Sequence, residues 1–352
     1  MRIVGAHPRR ASQAIALKIT EGNGKATSAD RRRSFGKAHE ARRWSALRFR
    51  TCLLVCEALC AALHERLLAQ RFRPCGPLEV ATMGWASPIR PNAEMLVDVA
   101  NDCLLIAARR QERLLPASVV TEAVAERVAE IEQAEMREVA RRERSQLREE
   151  LLMQMLPQAF TRSRLVRAYI DTVGGWVVVD ASSDKLAEEL LSLLRKSLDS
   201  FPAKPLTAGI SVSERLSAWL ATGSAGDGFE LEDQCELRDP ADSRSVVRCR
   251  GMDLTIPEVK THLDSGKRVV ALGLTWREHL SLVLDESLGL KRLRFADELI
   301  DQATDEADED ETLRMQAELS IMTDQLRTLL AGLSTEFQLE TDVPKAIPIE
   351  GR

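Results

Sequence analysis

The chain has 352 residues, 44% hydrophobic and 29% charged, which fits a soluble globular protein long enough for two or three packed units. No window approaches the roughly 18 apolar residues of a membrane span, and Met1-Arg-Ile-Val-Gly-Ala-His-Pro8 lacks the apolar core of a secretory signal. Seven cysteines, an odd count, point to reduced thiols in a cytoplasm rather than a disulfide framework. The net charge of −5 is unevenly spread: residues 1–50 carry 13 basic and 3 acidic side chains, whereas residues 301–352 carry 4 and 13. A polyanion responds to local clusters of Arg and Lys, so the overall charge does not exclude nucleic acid.

Residues 1–43, with Arg31-Arg-Arg33 and several glycines, read as a basic extension, disordered or a mis-assigned start. Residues 44–115 read as an N-terminal α/β module. In it an apolar helix spans Leu53–Leu68, Pro74 and Gly76 stop it, and Cys103–Ala108 form a buried strand. Residues 116–160 are expected to form a helical finger, with Ser118 as N-cap and Glu122 in the first turn. Val120, Val124, Val128 and Ile131 keep one apolar face, which fades between Ala140 and Gln146 at a solvated tip; packing resumes at Leu147 and Leu151.

Residues 161–300 read as an α+β domain. Gly174-Gly175 signals a hairpin between Tyr169 and Val179, because paired glycines supply positive φ. Ser183 precedes an amphipathic helix bearing Leu186, Leu190, Leu194 and Leu198, and Thr255 with Glu258 has capping-box spacing before a helix ended by Gly266. Val270–Trp276, Leu280–Leu284 and Leu293–Phe295 read as strands. Residues 301–352 hold the acidic run Asp305–Glu311, a further helix and a tail fraying after Pro344. The fold class expected is α+β, antiparallel sheets with long helices.

Catalytic signatures are sparse. Gly22-Asn-Gly24-Lys25 lacks the first glycine, the hydroxyl after lysine and the preceding strand of a phosphate loop. The five histidines show no ligand spacing. Cys52, Cys56 and Cys60 share a helix face with no His or acid to complete a zinc set, so no metal site is expected. Asp180 with Asp184-Lys185 leaves a metal-dependent nuclease open as an alternative, although a strand-to-helix junction explains an acid there by capping. Another alternative is a protein-interaction scaffold without DNA contact.

Basic residues recur beside buried segments. Arg109, Arg110 and Arg113 follow the strand at 103–108; Arg162, Arg164 and Arg167 precede the glycine hairpin; Arg195 and Lys196 end a helix. Arg248 and Arg250 flank Cys249, and Arg292 and Arg294 flank Leu293, so a period of two puts each pair opposite its core neighbours. Exposed sheet faces carry such residues ordinarily; converging on one surface, they would bind phosphates without reading bases. Aromatics are 4% of the chain, and Trp85, Trp176, Trp219 and Trp276 lie in apolar surroundings, which favours duplex over base-stacking single-strand binding.

Several stretches, in order, carry a resemblance. They are Pro74-Cys-Gly76, Met83-Gly-Trp85, Ala108-Arg-Arg-Gln-Glu-Arg-Leu-Leu-Pro116 and Leu156-Pro-Gln-Ala-Phe160, then Leu193-Leu-Arg-Lys-Ser-Leu198 and Trp219 with Gly223-Ser-Ala225. Gly266-Lys267, Leu274-Thr-Trp276 and Leu290-Lys-Arg-Leu-Arg-Phe295 complete the series. From about Leu53 to Leu333 the chain resembles the recombination-associated RdgC family. The resemblance implies a horseshoe-like subunit closing as a homodimer into a ring with a positively lined hole. It also implies binding to double-stranded and, more weakly, single-stranded DNA without sequence preference, and antagonism of RecA-promoted strand exchange. It implies no enzymatic activity, cofactor or membrane association, and the location it implies is the cytoplasm, on the nucleoid. DNA-contact candidates are then Arg109, Arg110, Arg113, Arg137, Arg141, Arg142, Arg144, Arg195, Lys196, Arg248, Arg250, Lys267, Lys291, Arg292 and Arg294, and Phe160 is the candidate subunit contact. The family's usual start is replaced here by Trp44-Ser-Ala-Leu-Arg-Phe-Arg50, where only the aromatic and Leu47 fit.

Overall fold

A computed structural model describes residues 43–48, 56–89, 93–299, 301 and 311–340. The basic arm, the acidic run, Cys52 and the stretch after Pro344 lie outside them. Twelve strands form one sheet: β1 (Arg43–Arg48), β2 (Ala81–Ala86), β3 (Val97–Ala100), β4 (Cys103–Leu114), β5 (Phe160–Asp171), β6 (Trp176–Ala181), β7 (Lys204–Pro205), β8 (Phe229–Arg238), β9 (Val246–Arg250), β10 (Arg268–Trp276), β11 (Leu280–Asp285) and β12 (Leu290–Phe295). Their order is β2-β4-β5-β6-β1-β12-β11-β10-β8-β9, with β3 also on β4 and β7 also on β1. The ladders are antiparallel. The helices are α1 (Cys56–Leu68), α2 (Ala117–Glu135), α3 (Arg141–Met155), α4 (Asp184–Leu198), α5 (Val212–Thr222), α6 (Pro257–Asp264) and α7 (Glu311–Phe337). This is the expected mixture of antiparallel sheet and helices, gathered into a single sheet.

Side-chain alternation gives the sheet two cores. Cys103 and Leu105 of β4, Tyr169 of β5, and Trp176 and Val178 of β6 join a cluster with the buried faces of α5, α6 and α7. Their neighbours Leu104, Ile106, Ala108, Ile170, Val177 and Val179 point the other way, onto Leu63 and Leu67 of α1 and Leu186, Leu190 and Leu194 of α4. Strands buried on both faces read as continuous apolar runs, which is why 103–108 shows no alternation. Tryptophans fasten both layers: Trp85 Nε1 donates to Ser197 Oγ of α4 at 2.8 Å, and Trp276 Nε1 to Thr328 Oγ1 of α7 at 3.1 Å.

Several local expectations are corrected. β4 runs on to Leu114, so Arg109, Arg110 and Arg113 lie within the strand; a 12-residue register with β5 holds it. The finger is a helical hairpin, α2 and α3, broken at Met136, whose backbone is left-handed. Val120, Val124, Val128 and Val139 form its own small core with Leu147 and Leu151. Pro116, not Ser118, is the N-cap of α2: its backbone is extended, with ψ 137°, and no side chain caps the helix; Glu122 is not in the first turn. Likewise Ile256 caps α6 and Pro257 is its first residue, while Thr255 donates to Asp253, so no capping box forms. In the β5–β6 turn only Gly175 has positive φ, at 71°. Phe160 begins β5 rather than ending the finger.

One ion pair joins α7 to the strand half of the first core. Asp171, 1% exposed, receives Arg327 Nε at 2.8 Å on one carboxylate oxygen and Arg327 Nη2 at 2.9 Å on the other. Nη2 also donates to the Asn101 carbonyl, and Asp171 accepts from the amides of Val173 and Gly174. Replacing Arg327 by Met strands a buried carboxylate and is expected to cost about 3–5 kcal/mol in urea unfolding. Adding Asp171→Asn should cost less than the sum of the single changes; strict additivity would mean the two groups are not coupled.

Candidate nucleic-acid interface

Beyond β1 the second core takes no residue from β8–β12, so in that half the described helices pack on one side only. Phe229, Cys235 and Leu237 of β8, Cys249 of β9 and Leu290 of β12 face the helices. Alternation turns Glu230, Glu232, Gln234 and Glu236 of β8, Arg248 and Arg250 of β9, Thr275 of β10, Ser281 of β11, and Lys291 and Arg294 of β12 to the open side. This is the same side of the sheet as α1 and α4.

The open face mixes signs, and most cations on it already have partners. Arg248 pairs with Glu236 at 2.8 Å and Lys291 with Asp285 at 2.9 Å. Arg292 does not follow simple alternation: β12 shifts register opposite β11 and Arg292 has φ +53°. Its Nη1 donates to Gln234 Oε1 at 2.6 Å, reaching across β11 and β10. Gly273 lies beneath that crossing, where a Cβ would come within 2.7 Å of Gln234 Cγ. Arg250 and Arg294 are exposed, and among the described residues neither has a salt bridge.

At the far end of the same side, β4 and β5 place Arg110 opposite Arg164 and Glu112 opposite Arg162. Arg110 pairs with Glu112 and, at 2.8 Å, with Glu189 of α4; Arg162 also meets Glu112, and Arg164 donates to Ser182. Arg109 and Arg113 alternate to the other side. The Arg109 guanidinium stacks 5.2 Å from the Phe72 ring centroid. Arg113 donates to the carbonyls of Gly76, Leu156, Pro157 and Ala159, tying the base of the hairpin to the sheet. Sequence grouped Arg109, Arg110 and Arg113; the strand separates them.

The remaining candidates are scattered. At the hairpin tip Arg137 is paired with Glu135 and Glu143, and Arg144 approaches Glu132 at 3.9 Å; Arg141 and Arg142 are exposed. Arg195 pairs with Glu188 at 2.7 Å and Lys196 is exposed beside it on α4. Lys267 is half-buried in the turn before β10. Phe160 is 84% exposed and pairs across the strands with Leu114, itself exposed, at the end of the ladder. Sequence reasoning passed over Glu230, Glu232 and Glu236, although the alternation in Phe229-Glu-Leu-Glu-Asp-Gln-Cys-Glu-Leu237 placed them on the face of Arg248 and Arg250.

Glu232 on this face is altered by the fold. Burial pushes its carboxyl above the ordinary value of 4.5, against hydrogen bonds from Thr275 and Ser281 and the nearby Arg294 charge. A raised pKa means that the folded state holds this proton more tightly, so the contribution to stability is present at low pH and lost as pH rises through the folded value. Glu232→Gln is therefore expected to raise the melting temperature near neutral pH, with the gain closing as pH falls below 4.5. Scanning calorimetry at both ends checks this; a gain independent of pH would contradict it.

Among the described residues no three His, Cys, Asp or Glu groups come together to hold a metal ion, and no helix is long and apolar enough to cross a membrane. A family model described as “Putative exonuclease, RdgC” matches residues 50–340. The chain is 42% identical over 262 residues to the recombination-associated protein RdgC of Pseudomonas syringae pv. tomato, covering 74% of this chain and 86% of that one. The protein of the same name from Tolumonas auensis is 38% identical over 272 residues, 77% and 90% of the two chains. A match over most of the chain, with relatives this similar, places it: the chain belongs to the RdgC family of recombination-associated proteins.

Proposed function

We propose that this chain is a sequence-independent DNA-binding protein, mainly of duplex, that self-associates into a ring and restrains RecA-promoted strand exchange on the bacterial nucleoid. One observation supports the DNA contact most: Arg250 and Arg294 stand exposed and without an ion-pair partner among the described residues, on a sheet face that the helices leave open. Such cations meet phosphates without giving up an internal pair. Arg162, Arg164 and Arg110 lie on the same side at the far end. Arg109 and Arg113, engaged by a ring and by carbonyls, are weaker candidates than the sequence made them. Trp85, Trp176, Trp219 and Trp276 are all buried and offer bases no stacking platform, which favours duplex over single strand.

Binding of a random duplex should weaken steeply with salt, each neutralised phosphate adding about −0.9 to the slope of log K against log salt. Arg250→Glu with Arg294→Glu should weaken binding by about the same factor for all sequences and flatten that slope by roughly 2. Fluorescence anisotropy over a salt series reads both, and an unchanged slope would remove this face from the interface. The word exonuclease in the family description sets the competing reading: loss of labelled ends with Mg²⁺ or Mn²⁺ would favour it over binding alone.

Self-association is supported by the exposed Phe160, paired with the exposed Leu114 at the end of the β4–β5 ladder, since exposed apolar side chains set side by side mark a contact surface. Phe160→Ser removes no buried contact, so the melting temperature should hold while the mass in solution falls toward the monomer. A variant that stays at the wild-type mass would move the subunit contact elsewhere.

A further inference from the structure

We propose that Cys235 and Cys249 are a redox-active pair: a peroxide converts them to an intrachain disulfide that fastens the edge strand β9 to β8, and a dithiol releases it. Strand register brings the pair together. Cys235 stands directly opposite Cys249 in the β8–β9 ladder, and both side chains point toward the helices, 5% and 7% exposed. Just beyond the ladder the Asp239 amide donates to the Ser245 carbonyl. Counting back by twos makes Cys235–Cys249 a hydrogen-bonded position as well, with Cα atoms about 5.5 Å apart. A disulfide spans Cα separations of roughly 4.4–6.8 Å, so the bond forms with little movement of the backbone. No other described thiol is so placed: Cys60 and Cys75 lie outside the strands, and Cys103 stands opposite Ala100 and Asp171.

Burial first, and then the neighbouring Cys249 thiol, raise the hold of the Cys235 thiol on its proton. Thiolate is therefore scarce while the sheet is closed, and reaction waits for β9 to open. The strand is built to open. Its five residues pair with β8 alone among the described residues. Exposed residues 240–244 precede it, and Gly251 follows with φ +67° and nothing within 4 Å of where a Cβ would stand.

The chemistry needs one peroxide for each pair. The first thiolate attacks a peroxide oxygen and breaks the O–O bond, leaving a sulfenic acid and a hydroxide that takes up the proton the thiol released. The second sulfur then attacks the sulfenic sulfur. The S–S bond forms, and the departing hydroxide leaves as water with the second thiol's proton. Two thiols are oxidised and one peroxide is reduced to two waters. A dithiol reverses the change by exchange and is itself left as the disulfide. On the opposite side of the same strands Arg248 holds Glu236 at 2.8 Å. The disulfide closes a short loop from the core side, so it fixes the strand that carries Arg248 and Arg250, whatever the open face binds.

The test treats the full chain with limiting hydrogen peroxide, blocks the remaining thiols and maps linked peptides by mass spectrometry. A linkage between the Cys235 and Cys249 peptides, released by dithiothreitol, is the expected result. Amide exchange across β9 should then be at least about tenfold slower in the oxidised than in the reduced protein, since a covalent tie suppresses local opening. Cys249→Ala should show no such change on oxidation, with circular dichroism confirming that it is folded. Both thiols blocked unlinked, or carried on to sulfinic acids, would overturn the proposal and leave two inert core thiols. Linkage of either one to Cys60, Cys75 or Cys103 overturns it too, as does a bond between two copies that appears only at high protein concentration.

Discussion

The Arg327–Asp171 pair is the constraint on which much of the arrangement depends. Asp171 ends β5 and accepts the turn amides before β6, while Arg327 sits midway along α7 and also holds the Asn101 carbonyl of the β3–β4 turn. Two hairpin turns and one long helix are thus fixed by a single guanidinium. The buried carboxylate beside it strengthens the guanidinium's hold on its proton. Burial also pushes the neighbouring Cys103 thiol up to about 12, which keeps it an inert core thiol at neutral pH. With α7 held in that line, Leu326, Leu330 and Phe337 reach the residues of β8–β12 as well as those of β4–β6. The two halves of the sheet therefore share one core, with β1 and β12 paired at two positions among the described residues.

That shared core also determines where charge can face solvent. Among the described residues, helices α5, α6 and α7 pack on one side of β4–β6 and β8–β12, whereas α1 and α4 pack on the other side only as far as β6. The uncovered remainder has to be polar, and the interleaved acids and arginines of β8, β9 and β12 are the result. Because Glu236 and Asp285 neutralise Arg248 and Lys291, the face is less positive than a count of its arginines suggests. Among the described residues, its exposed cations without a salt bridge are Arg250 and Arg294.

Much of the fold was legible because burial leaves a periodic trace. Ser183, with leucines at 186, 190 and 194, gave a helix that forms as read, its cap accepting from the Leu186 amide. Val270–Trp276 gave a strand whose Leu272, Leu274 and Trp276 face the core as read, while an irregularity between Val269 and Ala271 puts Val269 there in place of Val270. What escaped was set by partners distant in sequence. β4 is twice as long as its apolar run because β5 pairs with every residue through Leu114, including arginines that look like a loop. The starts of α2 and α6 were misplaced because Pro116 and Ile256 take the cap positions in extended backbone without a side-chain bond, leaving the nearby Ser118 and Thr255 without the capping role their spacing suggested.

The same reasoning explains why the candidate site was only partly readable. Alternation correctly paired Arg248 and Arg250 about Cys249, since a regular edge strand obeys a period of two. Arg292 also reaches the open face, where it meets Gln234, although the left-handed residue there and the register shift interrupt the period of two. Arg110 and Arg113 fall into one group when the strand is read as ending at Ala108. Within the longer β4 they alternate to opposite sides, where Glu189 of α4 engages one and four carbonyls from two other segments the other. A cluster of arginines in sequence therefore says where cations are abundant. Which of them remain available to a polyanion is decided by the acids and carbonyls that folding brings beside them, and on this sheet that selection leaves one pair on the open face.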